Sequence, residues 1–403
     1  DASVYQVKPA AVAIPASIKD IKRLIQFASQ AKTGIIPRGA GTSLAGQVVG
    51  DGIVMEISSA LGKVISLNRK EKSVWIEPGI VRDDLNKHLA TADLFFGPET
   101  STANRALLGG MLGNNSCGLH SMVWGSVRDH ILETRAFLSD GTEIHTHPLT
   151  REEFYHKTTL QNLEGKIYRE IHRMLNNPEI QTLIREKFPK KAIKRRNTGY
   201  ALDALLEMQP FHPEGEPFNL SKLIAGSEGT LAVVHAMKLN LLDLPEPEVA
   251  LVCIHCHSLQ EALQVNIEAL NHPILASELV DDYILSFTEG HPNFEKDRDF
   301  IEGKPAAILM VEFRSTNRAT LENHVSQLID QLKSNNRLLT RTNFELNHIQ
   351  NKCENPGEFF QSDSNHLYMK CFAYDLCPQL FTHQMFCTHP TSTIIYTKCL
   401  IHD

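Results

Sequence analysis

The sequence is short of cysteine, of long apolar runs and of excess positive charge. Eight cysteines in 403 residues exclude a disulfide scaffold and suit a reducing compartment. They show neither the closely spaced run of an iron–sulfur site nor the paired CxxC of a zinc ribbon, so no metal site is expected. No apolar run approaches the ~20 residues of a membrane-spanning helix. Forty basic side chains against 47 acidic ones leave a net charge of −7, which excludes a broad nucleic-acid-binding surface but not one small basic pocket. An initial Met is missing, and no positive segment followed by an apolar one stands at the visible start. Glycine is scarce at the far end: of 23 glycines only Gly357 lies beyond residue 344, whereas five of the eight cysteines do, Cys353, Cys371, Cys377, Cys387 and Cys399. Helical and strand periods fade there together. Both ends therefore read as incomplete, and residues 345–403 as an atypical tail from a truncated or wrong-frame translation.

What remains is a globular composition, 42% hydrophobic and 22% charged, with length for two or three domains. Ser17, with Asp20 at the capping-box position, opens a helix that puts Ile18, Ile21, Ile25 and Ala28 on one face. Residues 34–37 read as a short buried strand, 52–58 and 73–77 as further strands, and 81–92 as a helix. Residues 131–138 and 142–147 read as a hairpin around Asp140-Gly141. The stretch 150–221 is polar and helical, and a strand returns at 230–241. Pro245-Glu246-Pro247-Glu248 is a linker signal. After it the order is strand (249–257), helix (259–270), strand (274–280), strand (306–314), helix (318–334) and strand (337–343), which fits a split βαβ layer.

Three glycine-rich segments carry the chemistry. In the first, Arg38, Gly39, Ala40, Gly41, Thr42 and Ser43 lead to Gly46. Glycines let main chain approach a ligand closely, and successive N–H groups with two hydroxyls make a nest for a phosphate or pyrophosphate. A Walker loop is excluded because Gln47 follows Gly46, and a Rossmann fingerprint because its sixth place holds Leu44. The second segment runs from Gly97, Pro98, Glu99, Thr100 and Ser101 to Gly109, Gly110, Gly113, Asn114, Ser116, Cys117 and Gly118. The third is Gly226-Ser227-Glu228-Gly229-Thr230, a tight turn feeding a strand that contains Val233.

Together with Trp124-Gly125-Ser126 and Asn197-Thr198-Gly199-Tyr200, these segments resemble the FAD-binding domain of the vanillyl-alcohol oxidase / p-cresol methylhydroxylase superfamily over residues 1–340. The branch they resemble holds the glycolate oxidase D-subunit and the D-lactate and D-2-hydroxyglutarate dehydrogenases. The resemblance implies an α+β fold: a two-subdomain FAD-binding domain over 1–246, with a helical insertion at 150–221, then a ferredoxin-like substrate (cap) domain over 247–344. It implies FAD cradled by Arg38 to Ser43, lined by Pro98, Thr100 and Ser101, and contacted by Gly109, Gly110, Gly113, Asn114, Ser116 and Gly118. Ser126 would sit nearby, and Glu228, Gly229 and Val233 at the adenine end or the diphosphate. Cys117 and His120 are the local candidates for a covalent link, but non-covalent FAD is expected.

On the substrate side, a guanidinium at Arg196 suits a carboxylate clamp, with Asn197 and Tyr200 beside it. The implied reaction is oxidation of a D-2-hydroxy acid by hydride transfer to flavin N5. Electrons would pass to a quinone, a cytochrome or an iron–sulfur domain, in the cytoplasm or at the inner membrane's periphery. No transmembrane segment and no nucleic-acid partner are expected. The sequence departs from the family where the base is expected: His291 does not match a His motif, and Glu278 resembles a structural element of the substrate domain. Two alternatives stay open, a flavin-binding module without its base and another oxidase or reductase on the same scaffold.

Overall fold

The computed structural model describes residues 3–57, 59–196, 199–292, 298, 300–334 and the backbone of 345–347. It divides into two compact units, Asp1–Asp243 and Leu244–Asp403.

The first unit holds two sheets and a helical part. In the smaller sheet Ile53–Glu56 runs parallel between Ala11–Ala13 and Ile35–Arg38. The helix Ile18–Ala31 joins the two outer strands, and residues 39–52 make the crossover that the parallel neighbours Ile35–Arg38 and Ile53–Glu56 need. The Ser17 hydroxyl accepts the Asp20 N–H at 3.3 Å and donates to the Asp20 carboxylate at 2.8 Å. Ile21, Ile25 and Ala28 are buried as their spacing requires. Ile35–Arg38 is half-buried rather than buried, because it is an edge strand whose end opens onto the cleft described below.

The larger sheet is antiparallel, in the order Val64–Asn68, Ser73–Ile76, Val233–Asn240, Ile131–Phe137, Glu143–Thr146. Its edge strand Val64–Asn68 was not legible, since it is largely exposed and carries little alternation. One core joins Val74, Ile76, Met237 and Leu239 from this sheet to Leu85 and Leu89 of the helix Arg82–Ala90 and to Leu108, Met111 and Leu112 of the helix Leu108–Asn114. The hairpin turns at Gly141 (φ +82°), where the Asp140 carboxylate accepts both the N–H and the hydroxyl of Thr142.

The helical part comprises Arg151–Thr159, Leu163–Leu175, Pro178–Lys187 and Leu202–Leu206. Thr150 and Glu153 form a reciprocal capping box at its start. Phe154 sits at its centre, in ring contact with Tyr168, Phe211 and Phe218.

In the second unit the sheet order is Ile274–Asp281, Ala307–Ser315, Glu248–Cys256, Glu345–Asn347, all antiparallel. The helices Leu259–Ala269 and Arg318–Ser334 follow the first and third strands in the chain, which is split βαβ connectivity. Ala250, Val252 and Ile254 pack on Val265, Leu321, Val325 and Leu328 of those helices. A further helix, Asp282–Thr288, was not read from the sequence. The strand read at 337–343 lies outside the described residues. Glu345–Asn347 pairs with Leu251, Val252 and Cys253, so the first three residues of the stretch set apart in the sequence stand in register with this sheet. No helix among the described residues is long and apolar enough to cross a membrane.

Phe154 is fully buried, so Phe154→Ala should destabilise the first unit by about 3–5 kcal/mol. A lowered denaturation midpoint in urea, followed by far-UV circular dichroism, checks it.

Candidate cofactor site

A cleft of about 420 Å³ opens in the first unit, within the range of ligand pockets. All three glycine segments meet there. Arg38, Gly39, Ala40, Gly41, Thr42 and Ser43 form one wall; Thr100, Ser101, Gly109, Gly110, Gly113, Asn114 and Ser116 another; Glu228, Gly229 and Val233 the third.

Main-chain bonds hold the walls together. The Gly226 N–H donates to the Leu112 carbonyl at 2.9 Å, and the Glu228 N–H to the Gly113 carbonyl at 2.9 Å. The turn thereby covers the carboxyl end of the helix Leu108–Asn114, whose last carbonyls have no partner within the helix. Gly226 and Gly229 need positive φ, +87° and +75°. Gly229 also runs against Pro37, whose ring would meet a Cβ at 3.0 Å. The first loop closes on the second, since a Cβ on Gly39 would lie 3.5 Å from Leu107 and 3.7 Å from the Gly110 main chain.

The lining suits a flat ligand with a diphosphate. The Arg38 guanidinium lies over Gly41 and places a cation beside the loop's N–H groups. Thr42, Ser43, Thr100, Ser101 and Ser116 bring hydroxyls, while Ile57, Met111 and Val233 bring apolar surface. A Cβ on Gly110 would meet no protein atom within 4 Å, so glycine there keeps the wall flat towards the cleft and not towards protein. These residues fit a flavin nucleotide.

Several expected residues lie elsewhere. Pro98 is outside the lining, and its carbonyl accepts from Arg82 Nε at 3.2 Å. Gly118 is outside it because it packs on Glu99, whose Cγ would stand 2.1 Å from a Cβ there. Ser126 caps the short helix Val127–His130, bonded to the Asp129 carboxylate. Arg196 pairs with Asp203 at 2.7 Å, and the Tyr200 hydroxyl bonds Thr230 Oγ1 at 2.7 Å; neither lines the cleft. Asn197 lies outside the described residues. Cys117 and His120 do not line the cleft either. Among the described residues no group of histidine, cysteine and carboxylate side chains could hold a metal ion.

Gln47, Thr102 and Ser227 line the cleft and were missed, although the last two sit inside the motifs. Ile57 and Leu107 line it with no signal in the sequence. Also missed was Glu99, one residue from the lining. Burial alone would raise its pKa, but the attraction and hydrogen bond of His120, with the nearby Arg82, hold it down at about 2.

Residues 9–147 match the family model described as an FAD binding domain. The first unit carries an FAD-binding domain. The chain is 31% identical over 339 residues to a D-2-hydroxyglutarate dehydrogenase of Pantoea ananatis (strain AJ13355), covering 82% of this chain and 32% of that enzyme. The corresponding enzyme of Escherichia coli (strain K12) is 32% identical over 339 residues, with the same coverage. The chain thus spans about a third of the length of the curated relatives it matches. In structure it resembles an alkyldihydroxyacetonephosphate synthase with a TM-score of 0.52 at 17% identity, over 80% of this chain and 51% of that one; this shows a shared fold. The expected resemblance to an FAD-binding domain holds over residues 9–147.

The two adjacent glycines separate the cofactor from the fold. A side chain at Gly109 would strike Pro78 at 2.6 Å, whereas one at Gly110 would enter the cleft. Gly110→Val should keep the apoprotein melting temperature and lose FAD; Gly109→Val should lower the melting temperature itself. Differential scanning fluorimetry with and without FAD checks both. Glu99 gives a pH dependence: its contribution is complete above about pH 4.5 and is lost as pH falls towards 2. The stability gap between the parent and Glu99→Gln should therefore narrow across that window, measured by urea titration.

Proposed function

We propose that this chain is the FAD-binding part of a D-2-hydroxy-acid dehydrogenase. The supporting observation is the convergence of three separated glycine segments on one cleft, in a chain whose matched relatives are named D-2-hydroxyglutarate dehydrogenase. D-2-hydroxyglutarate is the first substrate to try, with D-lactate and glycolate as members of its class. When bound, FAD would supply the two-electron acceptor for a hydride from the substrate's α-carbon.

The chain's own residues bind and orient. Arg38 and the loop from Gly39 to Ser43 hold the diphosphate with a guanidinium, N–H groups and hydroxyls. Thr100, Ser101, Gly109, Gly110, Gly113, Asn114 and Ser116 form the walls for the ring and the ribityl chain, with Glu228, Gly229 and Val233 at the adenine end. Arg196 is our candidate for the substrate carboxylate, with Asn197 and Tyr200. A guanidinium has five N–H donors, so its bond to Asp203 leaves others for a second carboxylate. The electron acceptor would be a quinone, a cytochrome or an iron–sulfur domain, and the setting cytoplasmic or at the inner membrane's periphery. One observation favours a second reading, a flavin-binding module without its base: no histidine lines the cleft among the described residues.

An anaerobic titration tests both readings. Flavin-loaded protein should bleach in the visible band on addition of D-2-hydroxyglutarate, D-lactate or glycolate. A yellow protein that none of them bleaches supports the module, and one bleached by NADPH instead supports a reductase. Protein that stays colourless after soaking in excess FAD overturns every flavin reading.

A further inference from the structure

Glu99 is buried to 4% exposure, although Thr100 and Ser101 beside it line the cleft. One carboxylate oxygen, Oε1, accepts twice from His120, from the backbone N–H at 2.9 Å and from ring Nδ1 at 2.6 Å. The other, Oε2, is buried with no hydrogen-bond partner among the described residues. A buried carboxylate with one oxygen unpartnered is not used to the full for stability. Its location gives it another use.

Glu99 joins two strips of chain that both contribute to one wall of the cleft, the one ending in Thr100 and Ser101 and the one holding Asn114 and Ser116. On its own side, Arg82 donates to the Pro98 carbonyl at 3.2 Å and to the Phe96 carbonyl at 3.3 Å, and Asn86 pairs with both the N–H and the carbonyl of Phe96. The segment leading to Thr100 is thus anchored from the helix Arg82–Ala90. On the far side, Ser116 is fixed by its N–H bond to the Met111 carbonyl and by the Val127 N–H donated to its own carbonyl. His120, four residues on, stacks on Trp124 with ring centroids 4.4 Å apart, and Trp124 meets Phe95 edge-on at 5.1 Å. Gly118 has no side chain, which lets Glu99 reach across.

We propose that Glu99 is a positioning residue for the cofactor: its bond to His120 sets the spacing, within that wall, between Thr100 and Ser101 on one strip of chain and Asn114 and Ser116 on the other. The idea rests on the FAD reading above. It assigns Glu99 no contact with the flavin. Its effect passes through that wall, so loosening it changes how the flavin is held before it changes whether the domain folds.

The test is Glu99→Gln, which keeps size and an acceptor oxygen but removes the charge. Expected are an apoprotein with parental far-UV circular dichroism, an FAD Kd raised about tenfold, as losing a charge-assisted hydrogen bond implies, and an altered visible circular dichroism of the bound flavin. A purely structural role would lower the apoprotein melting temperature and leave the Kd and the flavin band unchanged, and that result overturns the proposal. Parent protein that takes up no FAD overturns the cofactor reading and this proposal with it. Normal binding by both proteins overturns this proposal alone. Should Glu99→Gln not fold, His120→Gln is read in the same way; failure of both to fold makes the pair a folding element and also overturns the proposal.

Discussion

Two main-chain hydrogen bonds tie the third wall of the cleft to the second. They run from Gly226 and Glu228 to the carbonyls of Leu112 and Gly113, and they join parts of the chain more than a hundred residues apart. A helix of seven residues is too short to be stable alone, and its final carbonyls need donors. The turn supplies them only because Gly226, Glu228 and Gly229 accept positive φ. That turn adds the third wall to the two that the Gly39 approach to Leu107 and Gly110 already brings together.

Cations outside the cleft secure the same junction. Arg128 donates to the carbonyls of Lys222 at 3.0 Å and Ala225 at 2.7 Å, and its own N–H is held by Asn115 Oδ1 at 2.7 Å. Lys222 answers by donating to the Arg128 and Ile131 carbonyls at 2.8 and 2.9 Å. Burial lowers the Lys222 ammonium to about 8, so the charge comes at a cost. In return the carbonyls of Lys222, Ala225, Arg128 and Ile131 each have a side-chain donor. Residue type alone does not mark Arg128 and Lys222, because their partners are main-chain atoms.

This explains which parts of the molecule were legible. The helix opened by Ser17, the hairpin at Gly141 and, Asp282–Thr288 apart, the strands and helices from Glu248 to Ser334 follow local rules, caps, turns and period, that read directly from neighbouring residues. Much of the cleft was legible too, because close approach of backbone to a ligand demands glycine wherever it occurs. The misses share one cause. Val64–Asn68 is a strand only because Ser73–Ile76 lies beside it. Ile57 and Leu107 line the cleft through packing that no motif encodes. Glu99 looked like one polar residue among several, and its partner His120 looked like a candidate for covalent attachment.

The glycines show why a motif alone cannot assign roles within itself. Gly109, Gly110 and Gly118 belong to one run, yet a Cβ would meet Pro78 at the first, nothing at the second and Glu99 at the third. The first is glycine for the sake of the core, the second for the cleft, and the third for a buried carboxylate that has to cross to the other strip of chain. A clash at a Cβ position thus separates what the fold requires of a glycine from what the cleft requires, even where, as at Gly109 and Gly110, both line the cleft. Pro98 and Ser126 have their polar atoms taken by Arg82 and Asp129. A site of this kind is two layers deep. Its inner layer is recognised by small residues and hydroxyls, and its outer layer only by tracing where each backbone carbonyl and buried carboxylate finds its donor.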